Sequence, residues 1–199
     1  MILKTKKILK LFTDKDYRFL VAAGRGWKKN LSPETFLRKM YRIKIGRELN
    51  LDNPVTYTEK LQWLKLNDHR DIYSTMVDKY EAKSYVADLC GEEYVIPALG
   101  VWERVEDIDF DALPNQFVLK ATHDSGGIVI CKDKSTLDIA ATCKKLRCFL
   151  KRNYYDHNRE WPYKNVKHRI IAEPYLEDSK YGELRDYKFF TFGGEPKVL

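Results

Sequence analysis

Two apolar segments joined by a glycine-containing loop constrain the fold of this chain more than any other feature. Residues 116–120 and 128–132 are typical of short strands, and the loop at 121–127 carries two adjacent glycines. Because so short a connection leaves no room for a crossover helix, the two strands are predicted to be neighbours joined by a turn. Strand alternation then places Val118 and Lys120 on the same face of the first strand.

The loop has the chemistry of an anion site. Gly126 and Gly127 let the backbone approach an anion closely, so that successive N–H groups can cup phosphate oxygens, and Ser125 adds a hydroxyl donor. Lys120, at the end of the preceding strand, could neutralise phosphate charge. No Gly-Lys-Ser/Thr occurs and a strand follows the loop, so this is not a Walker loop. A Gly-Gly hairpin turn with an incidental lysine is the alternative interpretation.

The first third of the chain is predicted to be helical. Ser32 followed by Pro33 is typical of a helix N-terminus and predicts a helix to about residue 45. Thr56 and Glu59 have the spacing of a capping box at the start of the next helix.

Helices and strands mix after about residue 75. The predicted elements are a helix from residue 78 to Gly91, strands at 116–120 and 128–132, a helix that presents Ile139, Cys143, Leu146 and Leu150, strands at 169–176 and 185–192, and a turn at Gly193-Gly194. Short turns between the central strands favour an α+β layered fold over a doubly wound one. We therefore expect a basic helical region at 1–74 and a second domain at 75–199.

Positive charge is concentrated in the first fifty residues. They hold fourteen Lys and Arg against four Asp and Glu, in a chain whose formal net charge is +7. Such a segment attracts polyanions, so it could meet an anionic membrane surface, nucleic acid or an acidic polymer, and a solvated helical face is an equally good interpretation. Trp63 and the aromatic residues around it are interpreted as packing residues, because no set of alternating aromatics accompanies them, so specific nucleic-acid binding is not expected.

The location expected from the sequence is cytoplasmic. Lysines interrupt every apolar run in residues 1–12, so neither a signal peptide nor a transmembrane span is predicted there, and a shallow membrane-peripheral anchor is the alternative. The cysteines form no C-x-x-C pair and are predicted to be buried, reduced thiols. They are Cys90, Cys131, Cys143 and Cys148.

Two later segments carry polar residues of interest. Glu173 ends the apolar run 170–172, where a carboxylate could recognise the amino group of an adenine; a strand-end glutamate in solvent is the alternative. Asp186 and Lys188 share a strand face, where they could meet ribose hydroxyls and phosphate, or else form a solvated ion pair. The histidines lack metal-ligand spacing, so no zinc site is predicted.

The order and spacing of these motifs resemble the ATP-grasp superfamily. More narrowly, the chain resembles the ATP-grasp family associated with teichuronopeptide synthesis, from about residue 35 onward. The motifs that carry the resemblance are Asp78-Lys79, Ile96-Pro97, the segment 53–65, the segment 113–120 ending in Phe-Val-Leu-Lys120, Gly126-Gly127, Asn153-Tyr-Tyr155, Arg159-Glu-Trp-Pro-Tyr-Lys164, Ala172-Glu173 and Asp186-Tyr-Lys-Phe-Phe190.

The resemblance implies an ATP site between two α+β subdomains. It implies Lys79 and Lys120 on the phosphates, a mobile phosphate loop, an adenine hinge after the 170–172 strand, and Asp186 on the ribose. The loop residues are Ser125, Gly126 and Gly127, and the hinge residues include Glu173, Tyr175 and Leu176. The implied reaction is ATP-dependent joining of a carboxylate to an amine with Mg²⁺, in bacterial surface-polysaccharide synthesis, with an acidic amino acid or uronic acid polymer as acceptor.

The resemblance also implies metal ligands that this sequence does not contain. The superfamily's acidic residue and Glu/Asp-x-Asn element belong to strands beyond Leu199, so no metal ligand or catalytic residue is assigned here. We expect a fragment or a truncated product with an incomplete two-subdomain unit, and the family reaction only in a complete protein.

Two other functions remain open at the level of sequence. One is a glycosyltransferase using a nucleotide sugar. Asp107-Ile108-Asp109 matches the Asp-x-Asp pattern of a metal site in such enzymes, although an acidic connector in solvent explains these residues equally well. The other is a non-catalytic module that binds a polyanion through the basic N-terminus.

Overall fold

The computed structural model describes residues 2–178, 180, 182, 184 and 187–198. As far as residue 90 the regular elements are helices joined by turns and loops. They are α1 (Ile2–Thr13), α2 (Lys15–Gly24), α3 (Pro33–Ile45), α4 (Tyr57–Asn67), α5 (Ile72–Val77) and α6 (Glu81–Cys90). Within these described residues, no helix has both the length and the apolar composition needed to cross a bilayer.

Both predicted helix starts are confirmed. The Ser32 hydroxyl accepts the Thr35 amide at 3.2 Å at the start of α3, and Gly46 ends that helix in the left-handed conformation, with φ of 81°. At α4 the Thr56 hydroxyl accepts the Glu59 amide, and the Glu59 carboxylate accepts the Thr56 amide at 2.9 Å, which completes the capping box.

A four-stranded antiparallel sheet follows. Its strands are β1 (Gly100–Trp102), β2 (Phe117–Ala121), β3 (Ile128–Cys131) and β4 (Ile170–Pro174), in the spatial order β1-β4-β2-β3. β2 and β3 are antiparallel neighbours, as predicted from the short loop between them. The helices α7 (Ile139–Leu150) and α8 (Tyr155–Asn158) lie in the long connection from β3 to β4.

The core is divided into two clusters. One lies among the N-terminal helices and includes Phe19, Phe36 and Leu37. The other lies on one face of the sheet, where alternate residues of β2 pack with Leu146 of α7, and includes Phe117 and Leu119. The division of the chain at residue 75 stays a prediction.

Buried arginines connect the helical part to the sheet. Arg159 donates to the Lys28 carbonyl at 2.7 Å, and its guanidinium lies 4.4 Å from the centre of the Phe36 ring. Arg169, at the start of β4, donates to the Asp78 carboxylate at 2.8 Å. Asp78 also accepts the Tyr80 amide at 2.9 Å, so this pair fixes the start of α6 against the sheet.

The last described residues form a separate hairpin of β5 (Phe190–Phe192) and β6 (Glu195–Val198), whose turn at Gly193-Gly194 is as predicted. The strand predicted at 185–192 is seen only from residue 190, while Arg185 and Asp186 lie outside the described residues.

Not every cysteine is buried. Cys131 is buried and Cys143 partly so, but Cys90 and Cys148 are exposed, so the prediction was wrong for these two. Cys90 is the last residue of α6, and Cys148 lies on the side of α7 opposite the buried Leu146.

Candidate functional site

The candidate site is the face of the sheet that points away from the core. Lys120 of β2 pairs with Ile128 of β3. Val118 pairs with Ile130 on one side and with Glu173 of β4 on the other. Because directly paired residues project to the same side of a sheet, these side chains share one face, and the predicted alignment of Val118 with Lys120 is confirmed.

A cleft lies over this face. Its volume of about 380 Å³ is within the range usual for small-molecule sites. Its floor is apolar, and Ile128 and Ile130 remain about half exposed. Three charged residues, Lys120, Lys132 and Glu173, also line the cleft. Besides the five residues of the sheet face, its walls include Ile96, Lys132, Pro174, Tyr175, Leu176 and Leu184.

Glu173 is the most constrained charged group in the cleft. Its carboxylate is buried, at 5% exposure, and accepts hydrogen bonds from Lys120 and from Lys83, whose Nζ lies at 2.5 Å. Burial by itself would raise the pKa of Glu173, but the hydrogen bonds from the two lysines outweigh it and hold that pKa below its ordinary value. The alternative of a solvated strand-end glutamate is therefore wrong.

Lys83 is a site residue that sequence reasoning missed. It lies on α6, is largely buried, and also donates to the Ile96 carbonyl at 2.6 Å. The only sequence signal for Lys83 was its position four residues after Lys79. The apolar periodicity of the helix identifies the residues that pack in the core, and Lys83 is not one of them. Its contact with Glu173 joins residues ninety positions apart and is a result of tertiary packing.

Lys79 contacts the glycine loop instead of lining the cleft. Its Nζ donates to the Ala121 carbonyl at 3.0 Å and to the Asp124 carbonyl, and its amide donates to the Thr122 carbonyl at 3.1 Å. Burial lowers the pKa of Lys79, against the opposing effect of Asp124. In this arrangement Lys79 holds the first half of the loop, and its contact with phosphate stays a prediction.

The loop itself is anchored at its base and open at its tip. Ser125 and Gly126 are exposed, and Gly126 has φ of 94°, which a side chain would strain. A Cβ at Gly127 would meet the Asp124 carboxylate at 3.0 Å and the Ala121 Cβ at 3.1 Å, so a side chain here would require these neighbours to shift by a few tenths of an ångström. The Asp124 carboxylate accepts the Ser125 amide at 2.8 Å.

One residue of the loop, His123, is stacked on a second histidine, His168. The rings of His123 and His168 are 3.8 Å apart and nearly parallel. His123 Nε2 lies 3.3 Å from the Phe149 carbonyl, and His168 Nδ1 lies 2.7 Å from the Leu150 carbonyl, at the end of α7. A carbonyl only accepts, so each of these nitrogens carries the proton. Burial, helped by His168, lowers the pKa of His123 from 6.5 to about 4.

Only some of the remaining predicted site residues lie in the cleft. Tyr175 and Leu176 line the cleft, and Lys132 lies 5.2 Å from the centre of the Tyr175 ring. Lys188 is exposed and is not among the residues that line the cleft. Asp186, predicted to contact the ribose, lies outside the described residues.

A family model described as TupA-like ATPgrasp matches residues 59–199, more than half of the chain. The chain belongs to the TupA-like ATP-grasp family. No curated protein and no solved structure matched it. The match covers every strand of the sheet and all of the cleft, so the predicted α+β, ATP-grasp-like fold is confirmed.

Proteins of the ATP-grasp class generally use ATP and Mg²⁺, and the cleft fits the nucleotide. An apolar floor suits the faces of a purine, whereas lysine ammonium groups and the exposed loop tip suit phosphate oxygens. Within the residues that the structure describes, no three His, Cys, Asp or Glu side chains cluster as metal ligands.

Proposed function

We propose that this chain binds ATP in the cleft formed by β2, β3 and β4. The single observation that carries the proposal is the shared sheet face, on which Lys120 and Glu173 lie beside apolar residues that line an open cleft. Membership of the ATP-grasp family supports the same ligand.

Different residues of the cleft would contact the base and the phosphates of the nucleotide. Ile128 and Ile130 would contact the base, with Tyr175 and Leu176 at the hinge, and Lys120 would meet the phosphates. Lys120 is bound to Glu173 in this state, so phosphate would compete for its ammonium group. Glu173 would then keep Lys83 as its partner, which spares the protein an unpaired buried carboxylate.

At the level of the family, we propose ATP-dependent carboxylate–amine ligation in the synthesis of a bacterial surface polysaccharide of the teichuronopeptide type. ATP with Mg²⁺ would supply the phosphoryl group that activates the carboxylate. An acidic amino acid or uronic acid polymer is the proposed acceptor, and a cytoplasmic site of action with a peripheral membrane contact is part of this proposal.

No specific observation favours a glycosyltransferase. In the Asp107-Ile108-Asp109 segment, the Asp109 carboxylate accepts the amides of Asp111 and Ala112 at 3.0 and 3.2 Å, which is the role of a turn-forming residue. Ile108 between the two is buried in the core.

Calorimetric titration with Mg-ATP and with a UDP-sugar tests the proposal. We expect wild type to bind Mg-ATP and Lys120→Ala to bind it at least about tenfold more weakly, because a charge-assisted contact with phosphate is lost. Lys60→Ala, on the exposed side of α4, is the matched control and should bind as wild type does. Binding of the UDP-sugar without binding of ATP would refute the proposal.

A further inference from the structure

The first helix of the chain presents an apolar stripe to solvent, formed by Ile8, Leu9 and Phe12. In a helix of 3.6 residues per turn, these positions fall within about 100° of one another around the axis. All three side chains are exposed, and Phe12 is 78% exposed. Single apolar residues are ordinary on a protein surface, but adjacent ones mark an interaction site.

The stripe has a fixed orientation, because α1 packs against α2. The Arg18 guanidinium of α2 donates to the carbonyls of Leu11 and Phe12 at 3.2 and 2.8 Å. The Asp14 amide donates to the Lys10 carbonyl at 3.0 Å and joins the two helices directly. Leu11 is partly buried. The pairing with α2 therefore leaves the stripe on the outside of the molecule.

Positive charge accompanies the stripe. The sequence of α1 contains four lysines and no acidic residue, and Lys10 and Lys15 are exposed. Arg18 donates to backbone carbonyls, which do not neutralise its charge. The first acidic residues of the chain already have partners, because Asp14 caps the start of α2 and Asp16 lies 3.5 Å from an arginine of α3. This surface therefore attracts anions.

Only a lipid surface satisfies both the apolar and the cationic groups. A nucleic acid or another soluble polyanion would pair with the lysines and leave the stripe in water. A second copy of this chain would cover the stripe but would bring two positive segments together. A helix-binding groove in another protein takes anchors from two or more turns, whereas Ile8, Leu9 and Phe12 span five positions. In a bilayer, acyl chains accept the apolar side chains and anionic headgroups accept the ammonium groups.

The length of α1 determines how it would meet a bilayer. Its twelve residues extend about 18 Å, whereas the hydrocarbon core of a bilayer is about 30 Å thick. The helix is therefore too short to cross, and it would lie along the interface with its apolar side down.

We propose that α1 docks this protein on an anionic lipid bilayer, with Ile8, Leu9 and Phe12 inserted at the level of the acyl chains and the lysines of α1 at the headgroups. The inference rests on the peripheral membrane contact included in the proposed function, and it names the surface that makes this contact. The stripe shares no residue with the ATP cleft, so docking and ATP binding are tested separately.

The test is co-sedimentation of the whole chain with vesicles, without ATP. Equimolar phosphatidylglycerol and phosphatidylcholine should bind wild type at least about tenfold more tightly than phosphatidylcholine alone. Leu9→Ser/Phe12→Ser should bind the mixed vesicles at least about tenfold more weakly than wild type. Val55→Ser/Leu89→Ser removes two equally exposed apolar residues outside α1 and should bind within about twofold of wild type.

Three results would overturn the proposal. Equal losses in the two double variants would mean that any exposed apolar residue promotes adhesion to vesicles. Undiminished binding of Leu9→Ser/Phe12→Ser would mean that charge alone attracts the protein. A wild-type dimer that becomes a monomer in Leu9→Ser/Phe12→Ser, measured by light scattering, would mean that a second copy covers the stripe.

Titration with Mg-ATP separates docking from the ATP proposal. Leu9→Ser/Phe12→Ser should bind Mg-ATP as wild type does, which also shows that the variant is folded. Wild type that binds Mg-ATP but not the mixed vesicles would refute docking and leave the ATP site in place. Wild type that binds the mixed vesicles through the stripe but does not bind Mg-ATP would support docking and refute the ATP site.

Discussion

His123 should make the folded protein less stable in mild acid than at neutral pH. Its ring is 1% exposed, is stacked on His168, and has a pKa lowered to about 4, whereas in the unfolded chain the value is 6.5. Between these two values the unfolded chain binds a proton that the folded protein excludes. Stability is therefore retained above pH 6.5 and is lost as the pH falls toward 4.

The size of the effect follows from the two pKa values. One excluded proton costs about 1.3 kcal/mol of unfolding free energy between pH 7.5 and pH 5.5, and the loss reaches about 3 kcal/mol at pH 4. Other groups titrate over this range too. The contribution of His123 is therefore the difference between wild type and a variant without this ring in the unfolding free energy that each loses over the interval.

Urea unfolding at pH 7.5 and 5.5 measures this difference. In His123→Gln the amide can still donate to the Phe149 carbonyl but does not titrate, so we expect it to lose about 1.3 kcal/mol less than wild type over this interval. His69→Gln is the matched control, because His69 is exposed, and its pH dependence should equal that of wild type. If His123→Gln loses as much stability as wild type, or if NMR titration gives His123 a pKa near 6.5, the reasoning is refuted.

Two further predictions concern the framework that positions the cleft, and both are measured by urea unfolding at pH 7.5. Thr56→Ala removes the hydroxyl that accepts the Glu59 amide and should cost about 1 kcal/mol; an unchanged midpoint would mean that the capping box contributes nothing. Arg169→Met leaves the buried Asp78 carboxylate without its 2.8 Å partner and should cost about 3 kcal/mol. Adding Asp78→Asn removes the unpaired charge and should recover part of that loss. If stability is not recovered, the loss does not have an electrostatic origin.

Local signals in the sequence determined the secondary structure around the site. The helix starts at Ser32 and Thr56 were predicted correctly because capping depends on residues three positions apart. The β2–β3 pair was predicted correctly because its loop is short, and strand alternation alone placed Val118 beside Lys120. Family membership followed from the same ordered motifs.

Local signals failed where burial depends on distant elements. Cys148 belongs to an apolar periodic helix, yet in the described part of the chain it is exposed, on the side of α7 opposite the buried Leu146. Within the described residues, the strand predicted from residue 185 is found only at Phe190–Phe192, where the turn at Gly193-Gly194 pairs it with β6. A periodic pattern gives the conformation of a segment but not what packs against it.

The partners of the charged groups were decided by tertiary structure alone. The sequence identified Glu173 and Lys79 as site residues, but α6 and the sheet had to pack before Glu173 could meet Lys83 and before Lys79 could reach the loop carbonyls. The stacking of His123 on His168 likewise joins segments far apart in the chain. Sequence periodicity extends over a few residues, whereas the electrostatic environment of a side chain depends on whatever the fold brings within a few ångströms of it.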